Sequence, residues 1–340
     1  MKNRVRGILA SVAFYLCFSG SAVNAITEAR QSEQFSVASQ ELNLFDQKRQ
    51  RPIKVTVWYP EGKGCQKAQI CLAQESKTQQ PIVFSHGAMG AAKGYSWIGR
   101  NLASHGYITL GINHFGESWV YGKEQVNPKT VTQFWLRPQD ISATLDMLSQ
   151  RSDIFNYQVN LTAVTAIGHS SGAATALALA GMQLEWKNAA SYCEMPAHQA
   201  DRSCGYSATL DTQSSHDFPT QQNWQDDRIN KIVALDPAMG HMINENSVAN
   251  INSHVLLISS KHNDFLIHQN HGAQYAARLP VVISHELDKG EGHFVYLDTC
   301  THQYRAMGVS LCEDRDGVDR DKVHQQILPM LLVFLSEPER

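Results

Sequence analysis

Residues 165–181 read TAIGHSSGAATALALAG, with Ser170 set between Gly168 and Gly172 at the end of an apolar run. A serine hydroxyl becomes an effective nucleophile only when a base takes its proton. The apolar run from Ala163 to Ile167 reads as a strand, and Ala173, Ala174, Ala176, Leu177 and Ala178 read as the start of a helix. Strand, tight turn and helix in that order are what a nucleophile elbow requires. Glycines admit the close backbone approach of such a turn, and the new helix aims free N–H groups and its positive dipole end at the reacting oxygen. The chemistry implied is attack by Ser170 on an acyl carbonyl.

The remaining parts of such a site are expected elsewhere in the chain. KGEGHFVYLD supplies a candidate base, His293, preceded by Gly292 in a loop just beyond the last predicted strand. Two aspartates could orient its imidazole and stabilise the imidazolium. Asp236, in KIVALDPAMG, closes an apolar strand and so falls at the edge of the sheet where sites in open α/β folds gather. Asp264, in LLISSKHNDFL, follows the next strand and lies closer in sequence to His293. Two N–H donors are needed where negative charge develops. Ser171 follows the nucleophile, and Ala88 lies in the loop after PIVFSHG, so their backbone amides are the candidates for the oxyanion hole.

These positions must be held by strands and helices, and the hydrophobic pattern supplies both. Strands are predicted at IKVTVWYP from Ile53, PIVFSHG from Pro81, YITLGIN from Tyr107, AVTAIGH from Ala163, KIVALDP from Lys231, HVLLISS from His254 and VVISHEL from Val281. Most are continuous apolar runs, which suit strands buried on both faces. Helices are predicted over Tyr95–Ser104, Pro138–Ser149, Ser171–Met182, His271–Arg278 and Lys322–Leu335. The alternation predicts an α/β fold with a mostly parallel central sheet flanked by helices. From about Glu185 to Asp227 a polar segment interrupts the rhythm after the nucleophile helix, as an excursion over a site or a surface insertion would.

The N-terminus carries Lys2, Arg4 and Arg6, then an apolar run and Val23-Asn24-Ala25, the pattern of a secretory signal peptide spanning 1–25. The expected mature chain, 26–340, is then one α/β domain in the periplasm or outside the cell, with no stable insertion in the membrane. Six of the seven cysteines lie beyond that segment and fall as neighbours: Cys65 with Cys71, Cys193 with Cys204, Cys300 with Cys312. An even number in an exported chain favours disulfides, and proximity suggests those pairings. A net charge of −3 without a basic stripe leaves no footprint for nucleic acid and points to a small-molecule partner. No cofactor or metal is expected. His241, His254, His262 and His268 do not form a set with metal-ligand spacing.

The combination of GHSSG, SHGAMG and a late GHF resembles the α/β-hydrolase superfamily over nearly the whole mature chain. With VTVWYP, LASHGY, ALDPA, NDFL and CEDRDGVDR added, the chain is similar to the exported branch of proteins called predicted dienelactone hydrolases. True dienelactone hydrolases use a cysteine nucleophile where this chain has Ser170. ALDPAMG is also similar to the stretch of platelet-activating-factor acetylhydrolases, chlorophyllases and pancreatic-type lipases in which Leu-Asp supplies the acid. That resemblance implies Asp236 for the role, with Asp264 the alternative. It implies a serine esterase working through an acyl-enzyme on a carboxylic ester. A lipase, polyester or thioester hydrolase, or a non-catalytic binding protein on the same fold, are the rival readings.

Overall fold

The computed structural model describes residues 35–338, apart from 66–67, 186, 208–222, 250 and 281. The expected signal segment 1–25 therefore lies outside the described residues, as does part of the 185–227 insertion.

Eight strands form one sheet: β1 (Val37–Asp46), β2 (Arg51–Pro60), β3 (Ile82–Ser85), β4 (Thr109–Asn113), β5 (Val164–His169), β6 (Ile229–Leu235), β7 (His254–Ser260) and β8 (Val282–Leu287). Their order is β1-β2-β4-β3-β5-β6-β7-β8. Only β2 runs against the others: β1 and β4 both pair with it antiparallel, and β4, β3, β5, β6, β7 and β8 pair parallel in turn. The seven expected strands are all present. The eighth, β1, has the sequence VASQELNLFD and buries only Leu42 fully. Its polar residues disguise it, because an edge strand needs one paired side and one wet one.

The helices are α1 (Ser96–Ser104), α2 (Leu136–Ser149), α3 (Ser171–Leu179), α4 (Lys187–Glu194), α5 (Cys204–Ser207), α6 (Glu245–Val248), α7 (Gly272–Arg278) and α8 (Arg320–Ser336). They cover the sheet on both faces. Ile98 and Leu102 of α1 join Val323, Ile327 and Leu331 of α8 in one apolar layer. Ile141 and Leu145 of α2, Leu177 of α3 and Tyr275 of α7 belong to the other. Burying β3 to β7 between two helical layers explains why these strands read as continuous apolar runs.

Disulfides join Cys65 to Cys71, Cys193 to Cys204 and Cys300 to Cys312, with Cα separations of 5.6, 5.5 and 5.0 Å. These are the neighbour pairings that proximity suggested. The described part of the insertion carries α4 and α5, joined by the second bridge. It is anchored by buried Asp201, which accepts hydrogen bonds from Tyr192 (2.7 Å) and from His271 Nε2 (2.7 Å) at the start of α7. No helix among the described residues is long and apolar enough to cross a membrane.

Candidate active site

Ser170 stands between β5 and α3 with φ 58° and ψ −123°. A non-glycine residue is rarely found there, and holding one costs about 1–3 kcal/mol that the surrounding packing must offset. The flanking glycines explain how the turn is tolerated. A Cβ on Gly168 would lie 2.1 Å from the carbonyl oxygen of Gly172, and one on Gly172 would lie 2.0 Å from that of Ser85. The elbow is also tied to β6: the Ser170 amide donates to Leu235 O (3.0 Å), and the Ala238 amide donates to Ser170 O (3.2 Å).

The loops that leave the C-terminal ends of β5, β6 and β8 bring Ser170, Asp236 and His293 together. Ser170 Oγ lies 2.9 Å from His293 Nε2, and His293 Nδ1 lies 2.6 Å from Asp236 Oδ2. The carboxylate can only accept, which puts the proton of the neutral imidazole on Nδ1 and leaves Nε2 to accept from the serine. Asp236 is buried and has φ 44°, a second strained position at the site. Its Oδ1 accepts from the Ser260 amide (3.0 Å) and its Oδ2 also accepts from Asn263 Nδ2 (2.5 Å). Burial pushes its carboxyl up to about 7, against the pull of the Ser260 amide. Burial likewise drives the His293 imidazole below its usual range, with the charge of Asp264 opposing. A dry setting of this kind keeps the resting histidine neutral and able to accept a proton.

Asp264, the other candidate acid, does not reach the ring. Its Oδ1 accepts the backbone N–H of His293 (2.9 Å), and its side chain crowds Gly292, where a Cβ would lie 2.8 Å from either oxygen. It therefore fixes the loop and not the imidazole. Ala88 and Ser171 both line the cavity that contains Ser170 and His293. Ser171 opens α3, where first-turn amides lack an intrahelical acceptor. Among the described residues the Ala88 amide has no acceptor either, whereas Gly87 donates to Tyr95 Oη (3.1 Å) and Met89 to Glu117 (3.3 Å).

Asn263, His169 and Tyr95 also converge on the site, although their residue types and spacing assign them no role. Asn263 holds Asp236 and uses its own Oδ1 to accept the amides of Phe265 (2.8 Å) and Leu266 (2.7 Å). His169, next to Ser170, is buried. Its Nε2–H donates to His293 O (2.9 Å), so its Nδ1 accepts from Tyr95 Oη (2.8 Å). Burial keeps it neutral, well below the usual histidine range. Gly87, Tyr95, His169 and the backbone of His293 thus form one chain of hydrogen bonds. His169, Asp236 and His293 have potential ligand atoms within 4.8 Å of one another. Both nitrogens of each imidazole are already engaged in hydrogen bonds, which leaves no free lone pair for a cation.

A cavity of about 970 Å³ opens in front of Ser170. Phe134, Phe265, Phe294 and Leu297 line it, and the insertion adds Tyr206 and Cys193 to its wall. The Phe265 ring stacks on His293 with centroids 5.2 Å apart.

Comparison with known proteins bears on the fold and on the relatives of the chain. A solved ferulic acid esterase from Streptomyces cinnamoneus superposes with a TM-score of 0.50 over 78% of this chain and 77% of that one, at 17% identity. The fold is that of the α/β hydrolases. In sequence, the family model described as Chlorophyllase matches residues 44–192, which includes the loop carrying Ala88 and the turn at Ser170 and ends before Asp236 and His293. Cutinase est2 and cutinase est1, both from Thermobifida alba, are each 26% identical over 121 residues, 35% of this chain. The match spans only 36% of the length of either cutinase. Sequence and fold together relate the chain to the esterase and lipase branch of the α/β hydrolases.

Proposed function

We propose that the protein is an exported serine hydrolase that cleaves carboxylic esters. Ser170 Oγ attacks the ester carbonyl while His293 Nε2 takes its proton, and the N–H groups of Ala88 and Ser171 receive the oxyanion. Collapse of the tetrahedral intermediate breaks the bond to the alcohol, which leaves with the proton from His293. Water, activated by the same imidazole, then releases the acid from Ser170. Asp236 keeps the proton on Nδ1 and stabilises the imidazolium as it forms.

The observation that carries this reading is the unbroken line of short contacts, Ser170 Oγ to His293 Nε2 (2.9 Å) and His293 Nδ1 to Asp236 (2.6 Å), inside a cavity. The apolar lining favours esters with a bulky hydrocarbon part. The names of the cutinase and ferulic acid esterase relatives point to the same bond type. Three disulfides and the signal-like N-terminus support export. The test is turnover of p-nitrophenyl acetate and butyrate by the mature protein, with a serine-directed phosphonate mapped by mass spectrometry. Turnover together with a label on Ser170 is expected; a protein that neither turns over these esters nor takes the label would refute the reading.

A further inference from the structure

The oxyanion donor assigned to Ala88 belongs to a loop, and loops hold amides loosely unless something fixes them. Beneath this loop lies an ion pair that the reaction scheme above does not use. Arg137, the second residue of α2, is 1% exposed. Its guanidinium grips Glu117 with both forks, Nε to Oε1 at 2.7 Å and Nη2 to Oε2 at 2.8 Å. The donors left over turn to the loop: Nη1 to His86 O (2.8 Å) and Nη2 to Gly87 O (3.3 Å). Glu117 Oε2 in turn accepts the Met89 amide at 3.3 Å. The pair therefore grasps the loop on both sides of Ala88.

The peptide joining Gly87 to Ala88 is planar and trans, so its C=O and N–H point in opposite directions. Gly87 O is held by Arg137, by His86 Nδ1–H (2.7 Å) and by the Gly90 amide (3.2 Å). His86 is free to donate from Nδ1 because its Nε2 accepts the His114 amide (3.1 Å). Fixing the carbonyl on that side turns the Ala88 N–H to the other. Ser170 borders this peptide, since a Cβ on Gly87 would come within 3.3 Å of Ser170 Cβ. The strained Met89, at φ 58°, is kept in place by the same Glu117 contact.

We propose that Arg137, through its pair with Glu117, is a positioning residue that aims the Ala88 amide at the developing oxyanion. The inference rests on the ester-hydrolase reading and adds to it a source of preorganisation. It is tested with Arg137→Lys, which keeps the charge and loses the planar fork, Arg137→Met, and Glu117→Gln. The readouts are p-nitrophenyl butyrate kinetics and inhibition by a phenylboronic acid, whose tetrahedral adduct on Ser170 stands in for the intermediate. Misaiming one oxyanion donor should lower kcat by ~10²-fold or more in both Arg137 variants. KM should change little, and boronate affinity should weaken in proportion to kcat/KM. The acid limb of the pH profile should stay in place, because His293 is untouched.

Should Arg137→Met fail to fold, Arg137→Lys and Glu117→Gln still decide the matter, the latter with an expected loss of ~10-fold or more. Folded Arg137→Lys and Glu117→Gln with wild-type kcat, or a kcat loss without a matching loss of boronate affinity, would overturn the proposal. Wild type and Ser170→Ala run alongside separate the two levels. An inert wild type sinks the hydrolase reading and this inference together; an active wild type with unaltered Arg137 and Glu117 variants sinks the inference alone.

Discussion

Replacing Asp236 by Asn tests the acid assignment, because the carboxylate's surroundings leave an amide no good orientation. Its Oδ1 faces the Ser260 N–H at 3.0 Å, and its Oδ2 faces Asn263 Nδ2 at 2.5 Å and His293 Nδ1 at 2.6 Å. Every partner is a donor, while the Asn amide brings one acceptor and one donating NH₂. Whichever way it turns, the NH₂ meets a donor. If the NH₂ faces His293, the ring must present a lone pair at Nδ1, so its proton moves to Nε2 and points at Ser170. The base is then lost. If it faces Ser260 instead, a buried N–H is left without an acceptor, at about 1–3 kcal/mol of stability.

The wrong tautomer predicts a fall in kcat of ~10³–10⁴-fold, about 4–5 kcal/mol of transition-state stabilisation. Asp264→Asn is the matched control. An Asn there can still accept the His293 backbone N–H that Asp264 Oδ1 takes at 2.9 Å, so the loss should stay below ~10-fold. Steady-state kinetics on p-nitrophenyl butyrate, with melting curves to show that both variants fold, decide between them. A loss of ~10³-fold or more in Asp264→Asn beside a mild loss in Asp236→Asn would refute the assignment and the argument from donor counts.

Ser170→Ala should lose activity by ~10³-fold or more. Ser171→Ala should keep most of it, since the Ser171 hydroxyl is buried without a partner among the described residues and the proposed mechanism uses only its backbone amide; equal losses would mean that the wrong hydroxyl was assigned. Gly172→Ala places a Cβ 2.0 Å from Ser85 O and 2.7 Å from His86 O. Backbone must shift, so a loss of about 3 kcal/mol or more is expected, and an unchanged melting temperature would contradict the packing argument. Stability should also fall as pH drops from about 6.5. Burial holds His86, His114, His169 and His324 neutral, with His114 and His324 lowered to about 4. The unfolded chain takes up those protons first, so each neutral-held histidine removes about 1 kcal/mol by pH 5.5. A urea midpoint that stays level between pH 7 and pH 5.5 would count against this.

What could be read from the sequence depended on how local its cause is. The strands β3 to β7 were legible because burial on both faces demands unbroken apolar runs. The elbow was legible because the glycines flanking Ser170 answer a clash within the turn and with the strand beside it. β1 was not, since pairing with β2 from Val37↔Pro60 to Asp46↔Arg51 satisfies its backbone while Ser39, Glu41 and Asn43 leave no apolar run. The two aspartates show the limit most sharply. Both sit in loops after strands and both touch His293, one at the ring nitrogen and the other at the backbone amide. No spacing rule separates those contacts; the direction of the chain after β6 and β7 does. Arg137 lies further still from what a pattern can carry. At the start of a helix an arginine reads as a solvated charge, and it is buried only because Glu117 and the carbonyls of His86 and Gly87 converge on it from other segments. The residues that perform the proposed reaction stand at strand ends, where sequence marks them. Those that would aim them are fixed by tertiary convergence, and they become visible only once the chain is folded.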